Sequence, residues 1–151
     1  MKIMKNKNLK AIEILIADDD AEDRMLIHDA LHESRLKNGL QFVEDGEQLL
    51  DYLNNRGKYS DKEKHPLPGI ILLDLNMPKK DGREALKEIK QDSRLRTIPI
   101  VVLTTSKAEE DILKTYNLGV SSFISKPVTF AGLVEVMKTL NKYWFEVVEL
   151  P

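Results

Sequence analysis

Apolar residues along this chain fall into short continuous runs, and stretches with a helical period separate them. A short apolar run bounded by polar residues is typical of a strand that is buried on both faces of a sheet. The runs lie at residues 11–17, at the start of 40–46, at 71–74, at 98–104 and at 121–126. Because strands and helices alternate, and crossovers between parallel strands place helices on both faces, we expect an α/β domain built on a parallel sheet.

Capping signals mark the helices that follow these strands. Asp81 is placed to cap a helix that begins at Gly82, and Ser106 with Glu109 has the spacing of a capping box. Gly119 suits the C-terminal end of that later helix, because glycine readily adopts the left-handed conformation found there. The predicted helices run from Asp20 or Ala21 to Ser34, over 47–55, from Gly82 to Asp92, from Ser106 to Gly119 and from Thr129 to Lys142.

The composition narrows the classes of function. The 151 residues fit one domain, and 42% hydrophobic with 32% charged residues is typical of a globular protein. The net charge of -2 gives no attraction to nucleic acid or to an anionic membrane, and no apolar run is long enough to span a bilayer. The chain has no cysteine, which excludes disulfides and is compatible with a reducing compartment. We therefore expect a cytoplasmic protein with neither nucleic acid nor membrane as partner.

Polar residues follow the predicted strands at the edge of the sheet where α/β proteins bind ligands, outside the carboxyl ends of the strands. Carboxylates gathered at that edge repel one another, so we expect a hard divalent cation, most simply Mg²⁺, between them. A lysine and a threonine there supply a point charge and a hydroxyl suited to phosphoryl oxygens. These residues are Asp18 and Asp19 after strand one, Asp74 after strand three, Thr104 and Thr105 in strand four, and Lys126 after strand five.

This set of residues indicates phosphoryl transfer, with Asp74 as the nucleophile that forms an aspartyl phosphate. Each residue also has an ordinary structural interpretation. Asp18, Asp19 and Asp20 could be a helix-capping cluster, and Asp74 alone could form a turn. Their coincidence at one edge favours the site, whereas Asp20 is expected only to cap the first helix.

Four motifs, ILIADDD, IILLDLNMPKKDG, IPIVVLTTS and FISKPVT, occur in this order between about residue 11 and residue 140. Together they resemble the receiver domain of two-component response regulators. The resemblance implies a doubly wound, flavodoxin-like sheet of five strands in the order 2-1-3-4-5. It also implies that Asp74 accepts a phosphoryl group from a phosphohistidine of a sensor histidine kinase or a phosphotransfer protein. Such a protein is not an enzyme beyond its own phosphorylation and dephosphorylation.

The same resemblance implies the metal ligands. Asp19 would bind Mg²⁺ directly and Asp18 through water. Asn76 would contribute its backbone carbonyl, and the carboxylate of Asp74 would complete the set.

The resemblance also implies the residues that bind and report the phosphoryl group. Thr104 would bind the phosphoryl group and move toward it, and Phe123 would swing inward as the linked aromatic switch. Lys126 would pair with Asp74 or with its phosphate. Two alternatives remain beside this interpretation. One is a phosphatase of the haloacid dehalogenase type, which needs a second aspartate where this chain has Asn76, and the other is a binding module that works without phosphorylation.

The long charged loop at 56–68 and the apolar tail resemble phytochrome-associated single-domain response regulators. We expect a receiver domain over 1–142 and an apolar extension of it over 143–151, with output through protein contacts. We favour a homodimer in which this tail takes part. The alternative, in which the tail folds back to cover its own domain, stays open.

Overall fold

The structure, a computed structural model, describes residues 13–33, 39–105, 119, 122–126 and 131. In this part of the chain the strands run parallel in one sheet: β1 (Ile14–Ala17), β2 (Leu40–Val43), β3 (Ile70–Asp74), β4 (Ile100–Thr105) and β5 (Ser122–Lys126). Their spatial order is β2-β1-β3-β4-β5. The helices are α1 (Ala21–Glu33), α2 (Gly46–Leu53) and α3 (Gly82–Gln91), with a 3-10 turn at Gly57–Tyr59. The predicted parallel α/β sheet is confirmed.

The central strands β1 and β3 are buried along their whole length. They pair in register from Ile14 opposite Ile70 to Ala17 opposite Leu73. An aspartate follows each residue of the last pair: Asp18 follows Ala17, and Asp74 follows Leu73. The register therefore brings the two carboxylates to the same edge of the sheet at the same level.

Two strands begin later than their apolar runs predict. β4 begins at Ile100 instead of residue 98, because Pro99 has no N–H for the ladder and the N–H of Ile98 donates to the carbonyl of Leu95 at 3.0 Å. The carbonyl of Pro99 still accepts the N–H of Ile71 at 3.0 Å. β1 begins at Ile14, and residues 11 and 12 lie outside the described part of the chain.

The helix boundaries agree with the capping signals where the structure describes them. α3 begins at Gly82 behind a capping box of Asp81 and Glu84, as predicted. α2 ends at Leu53 rather than at Asn55, because Asn55 has a φ of +52° and its side-chain amide donates to carbonyls of the following loop. No helix among the described residues is long and apolar enough to cross a membrane.

Most of the residues in the helices predicted after β4 and β5 lie outside the described residues, as do Ser34 and the apolar tail. Ala131, in the second of these helices, is described and is helical. Within the first of these helices only Gly119 is described, and its φ of +81° suits the predicted C-terminal position. The covering of both sheet faces by helices therefore stays a prediction.

The charged loop at 56–68 is packed against α2 by an aromatic cluster. The ring centroids of Tyr52, Tyr59 and His65 lie 5.2 to 5.5 Å apart, two of the three pairs edge-on. The Tyr52 hydroxyl donates to the carbonyl of Pro66 at 2.9 Å, and burial raises the pKa of this phenol. The loop thus has a defined path at the end of the molecule that carries the amino ends of the strands.

The turn before α2 is hydrogen-bonded to the loop that follows β3. The N–H of Gly46 donates to the carbonyl of Lys80 at 2.9 Å, and a Cβ on Gly46 would lie 2.1 Å from that oxygen. Asp45 is only 4% exposed, caps α2 through the N–H of Gln48 at 2.8 Å and lies 3.8 Å from the ammonium of Lys79. Lys79 holds a φ of +62°, which an L-residue adopts at a cost. The two loops are therefore held in one arrangement.

The close approach of Gly46 to the backbone of Lys80 predicts that Gly46→Ala destabilises the protein. A methyl group at this position meets backbone atoms, which cannot rotate away, so we expect a loss of about 2 kcal/mol in the free energy of unfolding. Denaturant unfolding measures the loss. Gly57→Ala is the matched control, since a Cβ at Gly57 meets nothing within 4 Å and only the φ of +58° opposes it. A Gly46→Ala variant as stable as the wild type would contradict the clash at Gly46.

Candidate functional site

Three carboxylates meet at the carboxyl edge of the central strands. One side-chain oxygen from each of Asp18, Asp19 and Asp74 lies within 4.8 Å of the other two. Asp18 is fully buried and Asp74 is 2% exposed, whereas Asp19 faces solvent. The acidic cluster predicted from the strand ends is therefore present, and its two buried members come from the two central strands.

Backbone groups of the neighbouring turns orient the buried carboxylates. The N–H of Asp20 donates to Oδ1 of Asp18 at 2.9 Å, and the N–H of Asn76 donates to Oδ1 of Asp74 at 3.0 Å. The N–H of Asp18 continues the sheet by donating to the carbonyl of Val43 at 3.0 Å. Hydrogen bonds of this kind fix the direction of a carboxylate.

Asp20 does not belong to the cluster. Its Oδ1 accepts the N–H groups of Glu22 at 2.8 Å and Asp23 at 3.4 Å, at the start of α1. This is the capping role predicted for it, and the acidic run at 18–20 thus contains two cluster members and one cap.

The loop between β3 and α3 closes tightly behind Asp74. The N–H of Gly82 donates to the carbonyl of Leu75 at 3.0 Å, and a Cβ on Gly82 would lie 2.4 Å from the carbonyl oxygen of Asp74. Met77 is buried and anchors the loop, while Asn76 is exposed. Asn76 therefore stands beside Asp74 at the open side of the loop. The role predicted for its backbone carbonyl stays a prediction.

Two lysines of this loop are held by acids on other elements. Lys79 lies near Asp45, and Lys80 forms an ion pair with Glu88 of α3. The hydrogen bond to Glu88 raises the pKa of Lys80 above the ordinary lysine value. Both ammonium groups are thus directed along the outside of the loop.

The remaining predicted residues lie on β4 and β5, and the strand register places their backbone. Asp74 pairs with Leu103, so Thr104 follows one residue beyond that partner. Lys126 pairs with Thr105 at the same edge, and Phe123 pairs with Val102 further back in the sheet. The side-chain contacts predicted for Thr104, Phe123 and Lys126 lie outside the described part of the structure.

Arg24 is a residue near the site that the sequence interpretation missed. Its guanidinium donates from Nη1 to the backbone carbonyl of Asp18 at 2.7 Å. No spacing rule predicts a contact between an arginine side chain and a carbonyl six residues earlier. The contact depends on how α1 leaves the turn, which the apolar pattern does not specify.

The acidic cluster fits a hard divalent cation. Mg²⁺ binds oxygen ligands at about 2.0 to 2.1 Å, so two oxygens on opposite sides of it lie about 4.2 Å apart. A cluster whose oxygens lie within 4.8 Å of one another is therefore of a size that suits a single ion. A divalent cation would neutralise two of the three carboxylate charges, and none of the three side chains is a soft donor that would favour another metal.

Comparison with known proteins gives the family. The profile of the response regulator receiver domain matches residues 14–138 of the chain. Response regulator Rcp1 of Synechocystis sp. (strain ATCC 27184 / PCC 6803 / Kazusa) is 40% identical over 138 residues, which cover 91% of this chain and 92% of Rcp1.

Solved structures agree in fold as well as in sequence. The crystal structure of the phosphorylated cyanobacterial phytochrome response regulator RcpA matches with a TM-score of 0.80 and 39% identity, over 93% of this chain and 99% of that chain. The Mn²⁺-bound form of response regulator Rcp1 matches with a TM-score of 0.77 and 39% identity, over the same shares of the two chains. With the acidic cluster at the strand ends, these likenesses show that the chain belongs to the response regulator receiver domain family and is a receiver in phosphorelay signalling.

Proposed function

We propose that Asp74 is the phosphoacceptor of this receiver and that its phosphorylation requires Mg²⁺. The observation that carries the proposal is the cluster of Asp18, Asp19 and Asp74, whose oxygens lie within 4.8 Å of one another. Asp74 is the member that extends from the central strand β3 into the tight loop before α3. It is therefore held rigidly, which favours an in-line attack.

In the proposed reaction a carboxylate oxygen of Asp74 attacks the phosphorus of a phosphohistidine. A P–O bond forms and the P–N bond breaks, and the electron pair of that bond returns to the imidazole of the donor. A bound Mg²⁺ supplies charge neutralisation for the phosphoryl oxygens. The chain holds the carboxylate in place through the N–H of Asn76 and excludes water through the burial of Asp74. No general acid from this chain is required when the donor ring is protonated on its other nitrogen, because the ring then leaves as neutral imidazole.

The supporting residues keep the roles that the family resemblance implies. Asp19 would ligate Mg²⁺ directly and Asp18 through water, and the carboxylate of Asp74 and the backbone carbonyl of Asn76 would complete the protein ligands. The exposure of Asp19 supports its role, since the ion would enter from the solvent side.

In this proposal, residues on β4 and β5 bind the phosphoryl group and couple its binding to a conformational change. Thr104 binds it through the hydroxyl and Lys126 through the ammonium, and Phe123 couples the movement of Thr104 to the surface. Their strand positions at the carboxyl edge support the first two roles.

The protein acts in signalling, and we propose that its own phosphorylation and dephosphorylation are its only catalysis. The haloacid dehalogenase alternative has no support, because the matching family and relatives are response regulators. An amide also cannot transfer a proton at position 76, where such a phosphatase needs an acid. We propose a sensor histidine kinase as donor, either directly or through a phosphotransfer protein. The likeness to RcpA, a phytochrome response regulator, favours a phytochrome-type kinase.

Asp74→Asn tests the acceptor. We expect the variant to gain no phosphoryl mass when it is incubated with acetyl phosphate and Mg²⁺, because an amide is not a nucleophile toward phosphorus under these conditions. Intact-protein mass spectrometry gives the measurement. Asp20→Asn is the matched control, since asparagine also caps helices and Asp20 lies outside the cluster. Phosphorylation of Asp74→Asn at the wild-type rate would refute the assignment.

Asp19→Ala tests the metal site without relying on phosphorylation. We expect Mg²⁺ affinity to fall by more than about 10-fold, because Mg²⁺ takes few protein ligands and this one is lost. The metal-free variant is expected to unfold at or above the wild-type denaturant midpoint, since one member of a repelling group is removed. Calorimetric titration with Mg²⁺ and denaturant unfolding check the two parts. Wild-type Mg²⁺ affinity in the variant would contradict the role of Asp19.

We also propose that the chain forms a homodimer through its apolar tail, residues 143–151, together with the neighbouring face of the domain. This segment lies outside the described residues, and its support is its composition. Aromatic residues are enriched at interfaces, and the aliphatic residues beside them add apolar area. They are Tyr143, Trp144, Phe145, Val147, Val148 and Leu150.

Truncation after Lys142 tests the dimer. We expect the full chain to sediment as a dimer at tens of micromolar and the truncated chain to sediment as a monomer, with and without acetyl phosphate. A monomeric full chain would disprove the dimer. An unchanged dimer after truncation would show that the tail is not its interface.

A further inference from the structure

The guanidinium of Arg24 bridges two turns at the edge of the acidic cluster. Nη1 donates to the carbonyl of Asp18 at 2.7 Å, and Nη2 lies 3.8 Å from a carboxylate oxygen of Glu44 in the turn after β2. The Arg24 side chain is 22% exposed, whereas that of Glu44 is 61% exposed. The carbonyl contact is thus short and largely shielded, and the ion pair is long and solvated. A long, solvated ion pair such as that between Arg24 and Glu44 contributes little to stability.

The hydrogen bond from Arg24 to the carbonyl of Asp18 fixes the peptide between Asp18 and Asp19, the two acids that follow β1. In a trans peptide the carbonyl and the following N–H point in opposite directions within one plane. Holding the carbonyl of Asp18 therefore fixes the N–H and the Cα of Asp19. The N–H of Asp18 is already fixed by Val43 and its Oδ1 by the N–H of Asp20. Arg24 adds a hydrogen bond to the carbonyl of this residue.

We propose that Arg24 is a positioning residue for the metal-binding acids. It holds the peptide between Asp18 and Asp19 so that both carboxylates face the ion. Groups that orient metal ligands in this way typically change metal affinity by about 10- to 100-fold when they are removed. The proposal rests on the proposed metal site, and it adds to that site a residue outside the carboxylate cluster.

The charge of Arg24 predicts the opposite effect on metal binding. A cation at the rim of a cation site repels the incoming ion, so removal of the guanidinium would tighten binding if its charge were all that mattered. Removal weakens binding if its hydrogen bond to Asp18 is what matters. The sign of the change in affinity therefore separates the two effects.

The test measures binding of Mn²⁺ to the full unphosphorylated chain by electron paramagnetic resonance, with Mg²⁺ as competitor. We expect Arg24→Ala to weaken Mn²⁺ affinity by about 10- to 100-fold. Arg24→Lys is expected to fall between the alanine variant and the wild type, because lysine keeps the charge but loses the planar fork. Glu44→Gln is the matched control. It removes the ion pair and leaves the carbonyl contact, so we expect it to bind within about twofold of the wild type.

The outcomes separate this inference from the proposed function. A wild-type protein that binds no Mn²⁺ contradicts the metal site itself. A wild-type protein that binds Mn²⁺, with a folded Arg24→Ala that binds it equally or more tightly, overturns only the role of Arg24. A purely structural role would lower the unfolding midpoint and leave the metal affinity of the folded protein unchanged. If the alanine variant does not fold, weakened binding by Arg24→Lys supports the proposal and wild-type affinity overturns it.

Discussion

Repulsion among three carboxylates is the constraint on which the site depends. Two of them, Asp18 and Asp74, are buried at the ends of the central strands, where water screens their charges poorly. The pairing of Ala17 with Leu73 makes this proximity unavoidable once the sheet has formed. Backbone N–H groups of Asp20 and Asn76 offset part of the cost, and a divalent cation in the proposed site would offset more of it. The proposed metal site thus follows from the register of two strands.

Close backbone contacts hold the parts of the site in place. Gly46 lets the turn before α2 reach the carbonyl of Lys80, and Gly82 lets α3 begin directly against the carbonyl of Asp74. Side chains larger than hydrogen would push on the loop that carries Asp74. An acceptor carboxylate must keep its direction while a phosphoryl group arrives, and contacts between backbone atoms change little during such an event. The rigid side of the site is therefore the one made by β1, β3 and the turns beside them.

The sequence predicts the parts of the fold that follow from local patterns. The apolar runs place Asp18, Asp19 and Asp74 at strand ends, and the capping box places the start of α3, because both signals lie within a few residues. The sequence does not predict the late start of β4, which depends on the hydrogen bond from Ile98 to Leu95, or the early end of α2, which depends on the side chain of Asn55. The contacts of Arg24 with Asp18 and of Gly46 with Lys80 join segments that no local pattern connects. The roles of Thr104, Phe123 and Lys126 come from the family resemblance and stay predictions.

We propose that the phosphoryl group is carried by the carboxylate of Asp74. Sodium borohydride reduces an aspartyl phosphate to homoserine, and peptide mass spectrometry then locates the modified position. After phosphorylation of the wild-type chain with Mg²⁺ and acetyl phosphate, we expect homoserine in place of Asp74 and unmodified Asp18 and Asp19. Homoserine at either of those two positions, or a phosphorylated protein that yields none at position 74, would contradict it.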